Sequence, residues 1–199
     1  MSRNPTHQIA FTAAAATVLL TAGAALAHPG HAGHEALGVG AGLMHPLTGL
    51  DHTIAMVAVG LWAALRGGRA LVSWPATFVA AMLVGFGLGG ALGAVSGIEP
   101  AVLATVIVLG GLTAADARTP EGASLALIAL FGALHGFTHG ADTAGGSFGF
   151  EAGMITTTAA LHLIGIGLGL GLKRFGWPEM IRLLGLSAVA GGLALAVTG

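Results

Sequence analysis

The chain has 199 residues, of which 55% are hydrophobic and only 8% are charged, and its mean hydropathy is +0.89. A soluble domain carries about 25% charged residues, so this composition leaves too few for a water-facing surface and indicates a membrane protein. The formal net charge of −1 shows no basic excess, which argues against a nucleic-acid partner. Cysteine is absent, which excludes disulfides, thiolate metal sites and cysteine nucleophiles together.

Residues 1–27 have the features of a secretory signal peptide. Arg3 precedes an apolar stretch that ends in Ala25-Leu26-Ala27. A basic start, a short apolar core and an A-x-A site together predict cleavage after Ala27. An uncleaved anchor helix is the alternative, because the apolar run approaches the length of a membrane span.

Residues 28–41 would then form a short His-rich segment at the periplasmic N-terminus. The α-amine and the imidazole of His28 can chelate one ion together, and His31 or His34 can add a further ligand. This segment predicts metal capture on the periplasmic side, although a flexible tail without function has the same composition.

The remaining residues, 42–199, are predicted to form one all-α domain, a polytopic bundle of six transmembrane helices. Each span needs about 20 apolar residues. The predicted spans are 42–65, 70–93, 99–115, 122–140, 152–172 and 179–198. The three tryptophans, Trp62, Trp74 and Trp177, lie near span ends and are interpreted as interfacial anchors.

The Lys and Arg residues indicate an orientation for these spans. With the mature N-terminus in the periplasm, the cytoplasmic connections are 66–69, 116–121 and 173–178. The basic residues of the connections all fall there: Arg66, Arg69, Arg118, Lys173 and Arg174. This is the positive-inside pattern, so we expect the protein in the lipid bilayer of the bacterial inner membrane.

Ionisable side chains inside the spans are costly, about 2.5–3.5 kcal/mol each on insertion scales, and therefore indicate function. The first span contains His45, Asp51 and His52. Pro46 disfavours helix at His45, and Gly49 weakens the segment further. A broken first helix is therefore predicted, and its freed carbonyls could also face an ion.

The fourth and fifth spans supply the other intramembrane candidates. His135 and His139 are four residues apart, the spacing at which one helix offers two imidazoles to one ion, and Asp142 follows at the helix end. His162 stands alone in the fifth span, where an interhelical hydrogen bond explains it as well as a metal ligand does. In the predicted topology, the histidines of all three spans lie between the external surface and the membrane centre. We therefore predict a chelating path that opens to the periplasm.

These segments resemble the HupE/UreJ family of membrane proteins. The family's H-P-x-x-G-x-D-H-x-x-A-M-V-A-x-G segment is matched over residues 45–60. Its F-H-G-x-x-H-G-x-E motif is matched over residues 134–142, with Leu134 in place of the Phe and Asp142 in place of the Glu. The second replacement keeps a carboxylate but shortens its reach. The region around His162 resembles the family as well.

The resemblance implies nickel uptake across the inner membrane for hydrogenase or urease maturation, with no enzymatic activity and no prosthetic group. Ni²⁺ is the expected substrate, and affinity order alone would also admit Co²⁺ or Zn²⁺. A homo-oligomer and transfer of nickel to cytoplasmic chaperones are the expected partner interactions. The candidate metal ligands are His28, His45, Asp51, His52, His135, His139, Asp142 and His162.

Two other functions are compatible with the same residues. A non-transporting accessory protein would bind the metal in the membrane and pass it on. A membrane redox protein would hold haem between histidines of separate helices.

Overall fold

The computed structural model describes residues 38–143 and 148–198, and the regular structure within them is α-helical throughout. The helices of this part of the chain are α1 Val39–Thr48, α2 Leu50–Arg66, α3 Ala70–Leu92, α4 Ile98–Ala114, α5 Glu121–Asp142, α6 Phe148–Arg174 and α7 Pro178–Thr198. The predicted all-α fold is confirmed for these residues. The predicted signal peptide and most of the His-rich segment, His28 included, lie outside them.

The protein is an integral membrane protein with several apolar helices. Helices α3, α5, α6 and α7 are each long and apolar enough to cross a membrane. Helices α1 and α2 qualify together as a fifth candidate span, bent by 84° at their junction. Helix α4, the third predicted span, has 17 residues, about 25 Å at 1.5 Å per residue, and is shorter than the roughly 30 Å hydrocarbon core.

The first predicted span is broken at Gly49, which belongs to neither α1 nor α2. The predicted break in the first helix is confirmed, but the expectation that Pro46 disfavours helix at His45 is wrong, since both residues lie within α1. A Cβ at Gly49 would lie 2.8 Å from Asp51 Oδ1 and 2.9 Å from His52 Nδ1. The missing side chain therefore leaves room for the side chains of Asp51 and His52 to lie against the break.

Glycines determine the close packing of α3 against α5. Gly132, Gly136 and Gly140 recur every fourth residue on α5, and a Cβ on each would collide with a main-chain carbonyl of α3. Gly85 and Gly89 of α3 make the reciprocal contacts with the main chain of α5. Small residues let membrane helices approach closely, so that dispersion forces hold them together. The pairing also turns the two histidines of α5 toward the interior.

Other glycines join the remaining helices. Gly60 of α2 lies against Gly165 of α6, and Gly153 of α6 lies against the main chain of α1. Gly110 of α4 packs against Gly185 of α7. Helix α6 therefore contacts both parts of the broken first span.

Long basic side chains tie several helix ends together. Lys173 Nζ, at the end of α6, donates to the main-chain oxygens of Ala64 (3.0 Å) and Leu65 (3.4 Å) near the end of α2. Arg182 Nε of α7 donates to the main-chain oxygen of Ala114 (2.9 Å) at the end of α4. This part of the bundle, the cationic end, is defined by Arg66, Arg69, Arg118, Lys173, Arg174 and Arg182.

Trp62 and Trp74 lie in the interior, so their interpretation as interfacial anchors is wrong. They are 1% and 0% exposed, and their ring centroids are 4.4 Å apart. Their indole N–H groups donate to the main-chain oxygen of Ala117 (3.0 Å) and to Glu121 Oε1 (3.3 Å). A buried indole needs such an acceptor, and finding one near the cationic end allows both rings to face inward.

Candidate metal centre

Four of the predicted histidines meet in the part of the bundle away from the cationic end. His45 comes from α1, His52 from α2, and His135 and His139 from α5. Ring centroids are 4.5 Å apart for His45 and His139, 4.3 Å for His52 and His139, and 4.9 Å for His52 and His135. The four imidazoles therefore form one continuous group of touching rings, the histidine cluster.

Two rings of the histidine cluster are oriented through Nδ1. His52 Nδ1 lies 2.9 Å from Asp51 Oδ1, where its N–H donates to the carboxylate. His135 Nδ1 donates in the same way to the main-chain oxygen of Phe131, at 2.9 Å. Metal-binding histidines almost always donate one ring N–H to a carboxylate or carbonyl, which directs the other nitrogen toward the metal. The arrangement leaves Nε2 of both rings as the nitrogen with a free lone pair.

The Nε2 atoms of His52, His135 and His139 are buried and have no hydrogen-bond partner among the described residues. A buried polar atom without a partner costs about 1–3 kcal/mol. Such atoms are rare in native proteins and call for an explanation, such as a ligand or a functional role. Three of them on touching rings are suited to an electron-pair acceptor such as a metal ion.

His45 and His139 are joined directly, with 2.7 Å between Nε2 of the first and Nδ1 of the second. The proton that they share must leave, or the rings must separate, before both of these nitrogens can bind a metal. Across residues 38–143 and 148–198, no three His, Asp or Glu side chains are already arranged around one metal position. Metal binding would therefore involve rotation of rings within the cluster.

His162 of α6 is fully buried, and its ring, like that of His135, contacts Phe78. The Phe78 ring centroid is 5.0 Å from that of His162 and 5.6 Å from that of His135. Neither ring nitrogen of His162 has a hydrogen-bond partner in the described part of the chain. An interhelical hydrogen bond to the described residues therefore does not explain this histidine.

Asp142 ends α5 at the opposite end of the bundle from the cationic residues. With Glu99 and Thr138 it lines a cavity of about 270 Å³ beside the connection between α3 and α4. Sequence reasoning gave Glu99 no role, because a carboxylate at the edge of a span is ordinarily solvated. The cavity brings two carboxylates from different helices to one opening.

Two carbonyls beside the break in the first span are already engaged. Thr48 Oγ1 donates to the main-chain oxygen of His45, and Thr53 Oγ1 donates to that of Pro46, each at 2.8 Å. The expectation that freed carbonyls face an ion finds no support at these two positions. Imidazole and carboxylate groups are the donors that the site offers.

Comparison with known proteins identifies a family that matches most of the chain. The family model described as HupE / UreJ protein matches residues 16–195. The chain belongs to the HupE/UreJ family. It is also 39% identical over 182 residues to Protein HupE of Rhizobium leguminosarum bv. viciae, a match that covers 88% of this chain and 92% of that protein. No solved structure matches the chain.

Membership of the HupE/UreJ family confirms the resemblance, and the family is one of transporters rather than enzymes. The structure adds how the two motifs of this HupE/UreJ protein meet. His45 and His139, from different motifs, are 94 residues apart in the chain and share a hydrogen bond. The close packing of α5 on α3 and of α1 on α6 makes that meeting possible.

Proposed function

We propose that this HupE/UreJ protein is an inner-membrane permease that carries a divalent transition-metal ion, nickel first, into the cell. The supporting observation is the set of three unpartnered Nε2 atoms on His52, His135 and His139. Imidazole nitrogen is a good ligand for Ni²⁺, and such ligands would replace water molecules that the ion loses inside the membrane. The cost of leaving these nitrogens unpartnered is then recovered when the ion binds.

The proposed path runs toward the cationic end. Cytoplasmic segments of membrane proteins carry an excess of Lys and Arg, so we assign the cationic end to the cytoplasm and the histidine cluster to the periplasmic half. His28 and the cavity at Asp142 would meet the ion first. The histidine cluster, with Asp51, would hold it next, and His162 would receive it last.

The same assignment supports six spans. Helices α2 and α6 end together at the cationic end, where Lys173 of α6 donates to the main chain of α2. Helix α4 ends there as well, where Arg182 of α7 donates to its last residue. Helix α3 starts at Ala70 beside Arg69, and α4 returns to the cationic end at Ala114, so the two form a hairpin across the bundle. In this topology α1 and α2 cross as one broken span, and α4 crosses as a short one.

The membrane potential can drive uptake by this path. A divalent cation that moves inward gains about 4.6 kcal/mol per 100 mV of inside-negative potential, twice the single-charge value. Asp51 offsets part of the ion's charge while the ion is inside the bilayer. We therefore expect facilitated uptake that depends on the potential.

Nickel is the proposed cargo because of the family resemblance, and the donor set is compatible with it. Imidazole and carboxylate ligands also bind Co²⁺ and Zn²⁺, so competition among the three ions would rank them. Inside the cell the ion would pass to nickel chaperones that supply hydrogenase or urease maturation. A homo-oligomer is compatible with this function.

The geometry disfavours haem in the histidine cluster. Neighbouring rings have centroids no more than 4.9 Å apart, which leaves no room for a macrocycle between them. A Soret band in the purified protein would contradict this reasoning. An accessory protein that binds but does not transport would use the same ligands, so a transport measurement is needed to separate it from a permease.

The decisive experiment is Ni²⁺ uptake into proteoliposomes under an imposed inside-negative potential. The His135→Ala, His139→Ala double variant should lose most of the uptake of the unsubstituted protein at equal reconstituted abundance. Thr105→Val is the matched control, since it removes a buried hydroxyl that bonds within α4 to Val102, at 2.7 Å. Metal binding without uptake by the unsubstituted protein would identify an accessory protein. Normal uptake by the double variant would remove the cluster from the path.

A further inference from the structure

One face of α3 carries a large side chain at every fourth residue and no ionisable group. Its members are at most 1% exposed: Trp74, Phe78, Met82 and Phe86. Phe78 differs from the other three because its ring contacts one histidine of the cluster and also His162. Among the described residues, Phe78 is the aromatic ring that contacts both His135 and His162.

Beyond His162, the buried interior of the described residues offers no further His, Asp or Glu side chain to an ion. His162 is the buried His, Asp or Glu of the described chain that lies nearest the cationic end, about 18 Å before Arg174 along α6. One turn from Phe78 toward that end, Trp74 packs on Trp62 with a centroid distance of 4.4 Å. Both indoles are hydrogen-bonded, which holds this pair in a fixed position.

We propose that Phe78, supported by the Trp62–Trp74 pair, is the inner gate of the ion path. The inference rests on the proposed metal transport and adds the place at which the path is closed. Apolar constrictions stop ions and protons because they exclude water. The ring of Phe78 thus separates an ion in the histidine cluster from His162, and it moves aside when the ion passes. An aromatic face also attracts a cation, which eases that passage.

Phe78→Ala opens the gate, and Phe86→Ala is its matched control. Both residues are fully buried on the same face of α3, and the main-chain oxygen of each packs on a glycine of α5. The Phe86 ring, however, has Phe150 as its neighbour, at a centroid distance of 6.4 Å, rather than a histidine. Removing either ring leaves a cavity of similar size, but only the cavity at Phe78 borders both His135 and His162.

Passive leak is the first readout. Proteoliposomes with an internal pH dye report proton leak, and radioactive Ni²⁺ reports ion leak without an imposed potential. Phe78→Ala should raise both leaks by about tenfold, which corresponds to a barrier lower by about 1.4 kcal/mol. Phe86→Ala should leave both leaks at the level of the unsubstituted protein.

Thiol labelling is the second readout and does not depend on transport. The chain has no cysteine, so Ile166→Cys introduces a single thiol one turn beyond His162 toward the cationic end. A membrane-impermeant methanethiosulfonate, added from the periplasmic side, should label this thiol in the Phe78→Ala background. The thiol should stay protected in the Phe86→Ala and unsubstituted backgrounds, since Ile166 is buried.

The outcomes separate the gate from the permease. Equal labelling with both alanine variants would mean general loosening, and protection with both would mean that Phe78 closes nothing; either result overturns the gate. Selective labelling in a protein that carries no Ni²⁺ would support the gate and overturn the permease. If Phe78→Ala fails to accumulate, Phe78→Leu compared with Phe86→Leu decides in the same way, with a smaller expected difference.

Discussion

Gly49, at the break of the first span, controls the geometry of the Asp51–His52 pair, and its replacement by alanine tests the site. The backbone there has φ −99° and ψ 114°, which any residue can adopt. The new Cβ would stand 2.8 Å from Asp51 Oδ1 and 2.9 Å from His52 Nδ1. Non-bonded atoms prefer about 3.5 Å or more, so the two side chains must withdraw by roughly 0.6 Å and lose their present hydrogen-bond alignment.

Loss of that hydrogen bond frees the His52 ring from its fixed orientation. Changing the group that orients a metal-binding histidine typically lowers metal affinity or activity by about 10- to 100-fold. We expect the same fall in the initial rate of Ni²⁺ uptake by the Gly49→Ala protein at subsaturating metal. Reconstituted abundance and helical content should not change, because the atoms that must move are side-chain ends and not backbone.

Gly87→Ala is the control for this prediction. An added Cβ at Gly87 meets nothing within 4 Å, so this variant should transport like the unsubstituted protein. Proteoliposomes matched for protein content give both rates. Equal rates for Gly49→Ala and Gly87→Ala would refute the reasoning, because the Asp51–His52 alignment would then have no part in uptake.

Three further substitutions test separate features of the site and the fold. Asp51→Asn keeps an oxygen but removes the charge that orients His52, and metal-uptake kinetics should show an affinity about 10-fold lower. Gly136→Ala forces α3 and α5 apart, so thermal unfolding in detergent should show a loss of about 1–3 kcal/mol, whereas Gly122→Ala, with open space around it, should not. Thr157→Val removes the 2.7 Å hydrogen bond to the main-chain oxygen of Leu43, about 1 kcal/mol, and amide exchange in α1 should become faster while the rest of the bundle is unchanged.

The helices could be predicted from the sequence because each apolar run is bounded by Gly, Pro or basic residues. Six runs were predicted, and each corresponds to a helix or, for the first, to two helices. The break in the first span was predicted from Pro46 and Gly49, but its position was not. Pro46 is accommodated within α1, whereas Gly49 adopts an extended backbone conformation and belongs to neither helix.

The histidines of the site could also be predicted, because an imidazole inside a membrane span is costly enough to stand out. Their meeting point could not be derived from spacing alone. His45 and His139 belong to helices that are far apart in the chain, and glycine contacts on other helices bring them together. The orientation of His135 could not be predicted either. Its hydrogen-bond partner is the main-chain oxygen of Phe131, and because every residue has such an oxygen, the sequence does not identify the partner.

Aromatic residues were the main error of the sequence-based reasoning, and the cause is physical. Hydropathy shows that Trp62 and Trp74 lie near span ends, but it does not show which way each ring points. The acceptors that draw the indoles inward, at Ala117 and Glu121, follow 55 and 47 residues later in the chain. The sequence did not indicate a role for Phe78, because phenylalanine is common in apolar membrane spans.

Helices α3 and α5 contribute different kinds of side chain to the proposed path. Helix α5 carries two histidines of the cluster, and α3 carries Phe78 and no ionisable residue. The glycine contacts that hold α5 against α3 involve the main chain of Phe78 itself, at Gly132. A shift of one helix along the other would therefore move the ring and the histidine cluster relative to each other in a single step. If His135 and His139 bind the ion as proposed, such a shift would couple that binding to the position of Phe78 without any ionisable residue on α3.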